Sequence, residues 1–268
     1  MRKHHDIPLQ FMITLFSVFT KPFTYSLEDQ IQFAKYAGFD GVDYIASVKD
    51  LFLRPNDILH LEKKYKIKVK GLHIPLPLVI YTPNFLLNKI NNLLNYFPEN
   101  LIFNFHLSGF VNPLGKNLHG LESLKKIMEK TKIKISCESN PDEYGIFKYY
   151  PKVTYDPDMF ARFCINHNLP INIDTCHISA WNYDIVEFFR KYHAHINLIH
   201  LSDMTSDRQH LPLGKGNLPI IKFLKELKRA SYKGIVVFEI SRFANAPKEQ
   251  VKKEVKNSLD IFRKVAFF

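Results

Sequence analysis

Six polar, metal-capable residues each close a short apolar run: His73 in KVKGLHIP, His106 in LIFNFHLSG, Glu138 in KIKISCESN, Asp174 in LPINIDTCH, His200 in HINLIHLSD and Glu239 in GIVVFEIS. An imidazole or carboxylate at the end of an apolar run is costly to bury unless something pairs with it. Spaced by one strand plus one helix, these six side chains are expected to converge on one place. A divalent cation is the simplest partner for such a set. Three carboxylates gathered without counter-charge repel one another, and a bound cation removes that cost. Mixed histidine and carboxylate donors suit Zn2+ or Mn2+, with iron or cobalt as further options. No Cys-x-x-Cys pair is present, which argues against a structural zinc.

The elements that must position these residues read as strands near 10–18, 41–45, 67–74, 100–106, 132–138, 169–174, 195–201 and 233–240. Helix-like stretches lie between and after them, near 27–37, 57–65, 84–97, 117–130, 157–167, 183–193, 218–230 and 247–264. Ser26 is placed to cap the first helix and Gly38 to stop it. Ile220, Phe223, Leu224 and Leu227 recur at helical spacing, with lysines on the other side. Strand–helix alternation without a Pro/Gly/Ser-rich linker predicts a single (β/α)8 TIM barrel over residues 1–268, since about 250 residues form one such unit. An open doubly wound sheet is the alternative, but no Gly-rich dinucleotide fingerprint follows the first strand. In a barrel the active site lies at the C-terminal ends of the strands, where all six residues fall.

Two loops add candidates. Asp174-Thr175-Cys176-His177 puts an imidazole in the loop leaving the sixth strand, where His177 can bind substrate or a second metal; Cys176 reads as packing. The segment Ser206–Gly216 follows the seventh strand. Its Arg208 and His210 can grip a sugar oxygen or phosphate, and Gly214 and Gly216 can let backbone approach that ligand. His4, His5, His119, His167, His193 and His195 read as structural or solvated.

Composition sets the bounds. The 268 residues are 46% hydrophobic, enough for a substantial core, and carry a net charge of +11. That charge is compatible with a sugar phosphate or a nucleic-acid backbone. The lysines, among them Lys63, Lys64, Lys125, Lys126, Lys222, Lys225, Lys252 and Lys253, are spread as solvated helix faces rather than one block. Three cysteines suggest a reducing compartment. The apolar run near the N-terminus is too short and too polar for a signal peptide, and nothing approaches the ~20 apolar residues of a membrane helix. A cytoplasmic protein with no membrane partner is expected, and a homo-oligomer is compatible with the chain.

From GFDGVDYIAS at 38–47 to the strand ending in Glu239, the chain resembles the xylose isomerase-like TIM barrel superfamily, which includes sugar-phosphate isomerases and epimerases and the endonuclease IV branch. The most specific segments are INIDTCH, HLSD and RQHLPLGKG. The resemblance implies a mononuclear metal set of Glu138, Asp174, His200 and Glu239, with His177 and Arg208 contacting substrate. The endonuclease IV branch binds three zinc ions through additional histidines, and His73, His106, His177 and His210 occupy matching places. DTCH is typical of that branch. The chain departs from it before His210: Arg208 stands where an aspartate is expected, and Asp207 is three residues ahead. The loop from 201 to 210 is also short for insertion into a DNA groove.

Two functions compete. The first is a divalent-metal-dependent isomerase or epimerase of a small sugar or sugar phosphate, working by proton transfer through an enediolate with one ion per chain. Glu138 and Glu239 would exchange the proton, while His177, Arg208, His73 and His210 hold the substrate. The alternative is an endonuclease IV-like zinc phosphodiesterase on abasic or damaged DNA, with up to three ions. A barrel without activity, serving as a binding module, is a third class.

Overall fold

The computed structural model describes residues 13–17, 25–45, 55–73, 101–109, 121–122, 125–126, 129, 134–140, 151–241 and 246–266. Each apolar run of the sequence that falls within them is a strand: β1 (Ile13–Ser17), β2 (Gly41–Ile45), β3 (Val69–His73), β4 (Ile102–His106), β5 (Lys134–Glu138), β6 (Ile171–Asp174), β7 (Ile196–Leu201) and β8 (Ile235–Glu239). All pair in parallel and in chain order, and β1 returns to β8 to close the barrel. Helices α1 (Leu27–Ala37), α2 (Pro55–Tyr65), α3 (Pro157–Asn166), α4 (Thr175–Ala180), α5 (Ile185–Tyr192), α6 (Ile220–Arg229) and α7 (Lys248–Ala266) connect or follow them. The helix expected at 84–97 lies outside the described residues. Within 117–130, residues 121, 122, 125, 126 and 129 are helical.

The local signals act as their chemistry requires. Ser26 and Asp29 form a reciprocal capping box at the start of α1, and Gly38 ends it at φ 92°. One expectation is corrected: residues 175–180 are helical, not a loop. Asp174 Oδ1 accepts from the backbone N–H of Cys176 (2.7 Å) and His177 (2.9 Å), which satisfies free donors of the first turn and nucleates α4.

Strand alternation divides the core. Outward residues such as Phe103, Phe105, Ile173, Ile199, Val236 and Phe238 merge with Ile31, Phe223, Leu227 and Phe262 from the helices in one large cluster. Inward residues Ile102, Leu198 and Val237 pack as a separate small cluster inside the barrel. The next inward residues toward the strand ends are polar, which brings the chemistry to one mouth of the barrel.

Candidate metal centre

Glu138, Asp174, His200 and Glu239 each offer a donor atom, and the four atoms lie within 4.8 Å of one another. They come from the ends of β5, β6, β8 and the penultimate position of β7, and all four residues are at most 3% exposed. His200 Nδ1 is 2.5 Å from Glu239 Oε2, 3.3 Å from Glu138 Oε2 and 3.9 Å from Asp174 Oδ2. Despite these distances, His200 Nδ1, Glu138 Oε1, Asp174 Oδ2 and Glu239 Oε2 make no hydrogen bond among the described residues. Buried donor atoms that face one another without hydrogen bonds suit a cation between them, so the residues fit a divalent metal.

Two triads flank this set. His73, His106 and Glu138 form one, and Asp174, His177 and His210 the other, again with donor atoms within 4.8 Å. The Nε2 atoms of His73 and His106 are 3.4 Å apart, and His73 Nε2 is 3.6 Å from Glu138 Oε2. The carbonyl of Ser139 lies 3.2 Å from His106 Nδ1 and 3.1 Å from His177 Nδ1. A ring that donates Nδ1–H to this carbonyl keeps its Nε2 lone pair for a metal.

A second layer of polar residues sits two positions before the donors on the same strand faces. Asn104 Nδ2 and Asn172 Nδ2 both donate to Glu138 Oε2, at 2.5 and 2.8 Å. Asn172 Oδ1 accepts from the backbone N–H of His200 at 3.2 Å. Asp43, in the middle of β2, is fully buried, and neither of its oxygens has a hydrogen-bond partner among the described residues. On the other side, Cys176 Sγ lies 3.2 Å from Ser202 Oγ and accepts from the backbone N–H of His210 at 3.3 Å. Ser202 Oγ is also 3.3 Å from His210 Nδ1, so the thiol packs and helps hold that ring.

The charges of the cluster determine each other. Burial disfavours the ionised form of every group. For Glu138 the surrounding His200, His106 and His177 outweigh burial and hold the carboxyl well below its usual range; His200 does the same for Glu239. Burial opposes protonation of His177 and His200, but nearby carboxylates win and raise them to about 9 and about 10. Burial dominates at His73 and His106, lowered to about 4 and about 3, so both rings are neutral near pH 7. Asp174 is raised by burial, and Asp43 is raised to about 7 for the same reason, tempered by His200.

The structure brings His73, His106, Glu138, Asp174, His177, His200, His210 and Glu239 into one cluster. Arg208 stands apart: its side chain is exposed and lies 3.4 Å from Asp207. Gly214 and Gly216 have a different role from ligand approach. Their N–H groups donate to Asp203 Oδ2 at 3.0 Å each, and Leu218 N and Met204 N donate to Oδ1. A Cβ at residue 216 would collide with Asp203 and the backbone of Met204, so glycine is needed for this clamp. Asp43, Asn104, Asn172 and Asp203 were not anticipated as site residues. Period-two alternation from His106 and Asp174 points to Asn104 and Asn172.

Residues 117–264 match the model of a family described as xylose isomerase-like TIM barrel. The uncharacterized protein MJ1311 of Methanocaldococcus jannaschii is 27% identical over 151 residues, covering 55% of this chain and 50% of that relative, so the match spans about half its length. Among solved structures, the chain resembles 3-keto-D-glucoside 4-epimerase YcjR from E. coli, with a TM-score of 0.70 at 15% identity over 95% of this chain and 100% of that one. D-psicose 3-epimerase from Clostridium cellulolyticum H10 gives 0.70 at 14% identity, covering 94% and 98%. The probable 3-DHS dehydratase AsbF from Bacillus anthracis gives 0.65 at 15%, covering 92% and 98%. At these identities the likeness is one of fold.

Proposed function

We propose that this chain, which belongs to the xylose isomerase-like TIM barrel family, is a divalent-metal-dependent isomerase or epimerase of a small sugar or sugar phosphate. The observation that carries the reading is the meeting of Glu138, Asp174, His200 and Glu239 at one buried point. A Zn2+ or Mn2+ ion held there would supply positive charge beside the carbonyl and hydroxyl oxygens of a substrate, easing removal of the neighbouring carbon-bound proton. Glu138 and Glu239 then divide the proton transfer. Glu138 is held at Oε2 by two amides, and Glu239 Oε2 lies 2.5 Å from His200 Nδ1. One of them takes the proton, leaving an enediolate, and the other, entering the cycle with a proton of its own from solvent, protonates the opposite face. His177, His73 and His210 orient the substrate oxygens, and Arg208 meets a phosphate or outer hydroxyl from its exposed loop.

A second reading is an endonuclease IV-like zinc phosphodiesterase with up to three ions. It is favoured by the two flanking triads, His73–His106–Glu138 and Asp174–His177–His210. Metal analysis of protein purified without added metal separates the two readings, combined with two activity assays. One ion per chain, with deuterium uptake from D2O into a ketose or its phosphate, supports the isomerase. Three zinc ions with salt-sensitive cleavage of abasic DNA, and no exchange on any sugar, overturns it.

A further inference from the structure

We propose that Asp43 is a positioning residue whose carboxylate takes the His200 ring N–H opposite the metal-facing Nδ1, fixing the tautomer in which His200 binds a cation. The assignment, resting on the metal-centre reading above, starts from how His200 is placed. Its Nδ1 faces Glu138, Asp174 and Glu239, so a cation held by that set meets Nδ1. A neutral imidazole that ligates through Nδ1 carries its hydrogen on Nε2. His200 is fully buried and its Nε2 has no hydrogen-bond partner among the described residues. Metal-bound histidines nearly always give that second N–H to a carboxylate, carbonyl or water.

Asp43 is a neighbouring carboxylate that can receive it once its side chain turns, since no hydrogen bond joins the two in the structure. One donor atom each from Asp43, His73 and His200 lie within 4.8 Å of one another. Both Asp43 oxygens are buried and without a hydrogen-bond partner among the described residues, an expensive arrangement for a group with no task. His73 Nδ1 is likewise buried without a partner among the described residues.

The space for Asp43 is also built. Gly71 is its register partner on β3, and a Cβ at residue 71 would overlap the Asp43 carboxylate, with Cγ at 2.8 Å and Cβ at 3.0 Å. Glycine at 71 therefore leaves the room in which the carboxylate can turn to close on the ring N–H.

The test uses the full-length wild type, Asp43→Asn and Gly71→Ala. Zn2+ affinity is measured by competition with a chromophoric chelator, metal-free stability by thermal melting, and the His200 Nε2–H by 1H–15N spectra of the Zn2+-loaded protein. Asp43→Asn removes a buried carboxylate that has no hydrogen-bond partner among the described residues, so the metal-free variant should melt at or above the wild type. Its Zn2+ affinity should nevertheless fall about 10–100-fold, the usual loss when such a partner is removed. The His200 Nε2–H resonance of the loaded protein should move upfield, as a ring N–H does when its charged acceptor is removed. A purely structural Asp43 would not move stability and affinity in opposite directions. Gly71→Ala, which forces the carboxylate aside without changing any charge, should show the same affinity loss and covers the case in which Asp43→Asn does not fold. Affinity within twofold of wild type and an unchanged His200 Nε2–H resonance in either folded variant overturns the assignment. Failure of the wild type itself to bind Zn2+ overturns the metal-centre reading as well.

Discussion

A carboxylate that receives two amide N–H groups on one oxygen is stabilised as an anion and becomes a poor place to keep a proton. This is the situation of Glu138, whose Oε2 is thereby held as an anion that suits a bound cation. Glu239→Gln is expected to lower kcat by about 10²–10⁴ while metal affinity falls less than in Glu138→Gln. Steady-state kinetics beside chelator competition checks this, and near wild-type turnover in either variant would remove that residue from the proton path. Arg208→Ala should raise KM with little change in kcat, because its exposed guanidinium can only add binding. The histidines set the pH response. His177 and His200 are raised to about 9 and about 10 without metal, so at pH 7 they hold protons that a cation must displace. Calorimetry in buffers of different ionisation enthalpy should therefore show proton release at pH 7, with metal affinity rising up to about pH 9–10.

At the level of elements, strands and most helices could be read because their apolar periodicity and caps are local. Ser26, Gly38 and the residues closing each run lay where the chain's own pattern put them. Short-range reading failed where one side chain organises distant backbone. Asp203 collects N–H groups from residues up to 15 positions away, and no periodicity announces that. Asp43 was missed for another reason: it interrupts a strand instead of ending it, and its meaning depends on Gly71, its cross-strand neighbour. Asp203→Ala should unclamp the β7–α6 loop and leave four N–H groups without their charged acceptor. A loss of about 2–4 kcal/mol is expected, or a Tm lower by roughly 5–15 °C. Thermal melting checks it, and an unchanged Tm would mean that the loop is held by other contacts.

For the whole molecule, linkage fixes the pH profile of stability. His177 and His200 have folded values above their ordinary 6.5, so their contribution is complete below that pH and fades as pH rises through about 9 and about 10. Glu138 and Glu239 are depressed, so theirs is present above 4.5 and is lost as pH falls through their low folded values. The metal-free chain should thus lose Tm toward both acid and alkali. At free Zn2+ a hundredfold above Kd, the bound form should gain about 2.7 kcal/mol, or about 5–10 °C. A chelator that leaves Tm unchanged would argue against a resident ion. No helix among the described residues is long and apolar enough to cross a membrane.

The ring of strands is sealed where β1 meets β8, and that seam ends with Ser17 paired to Glu239. Strand β8 thus delivers the Glu239 carboxylate and clasps the first strand in the same act. Under the proposed metal-centre reading, ion capture by the complete quartet becomes a late event of maturation, and a refolding chain that acquires tight Zn2+ binding would report the fastening of its own circumference.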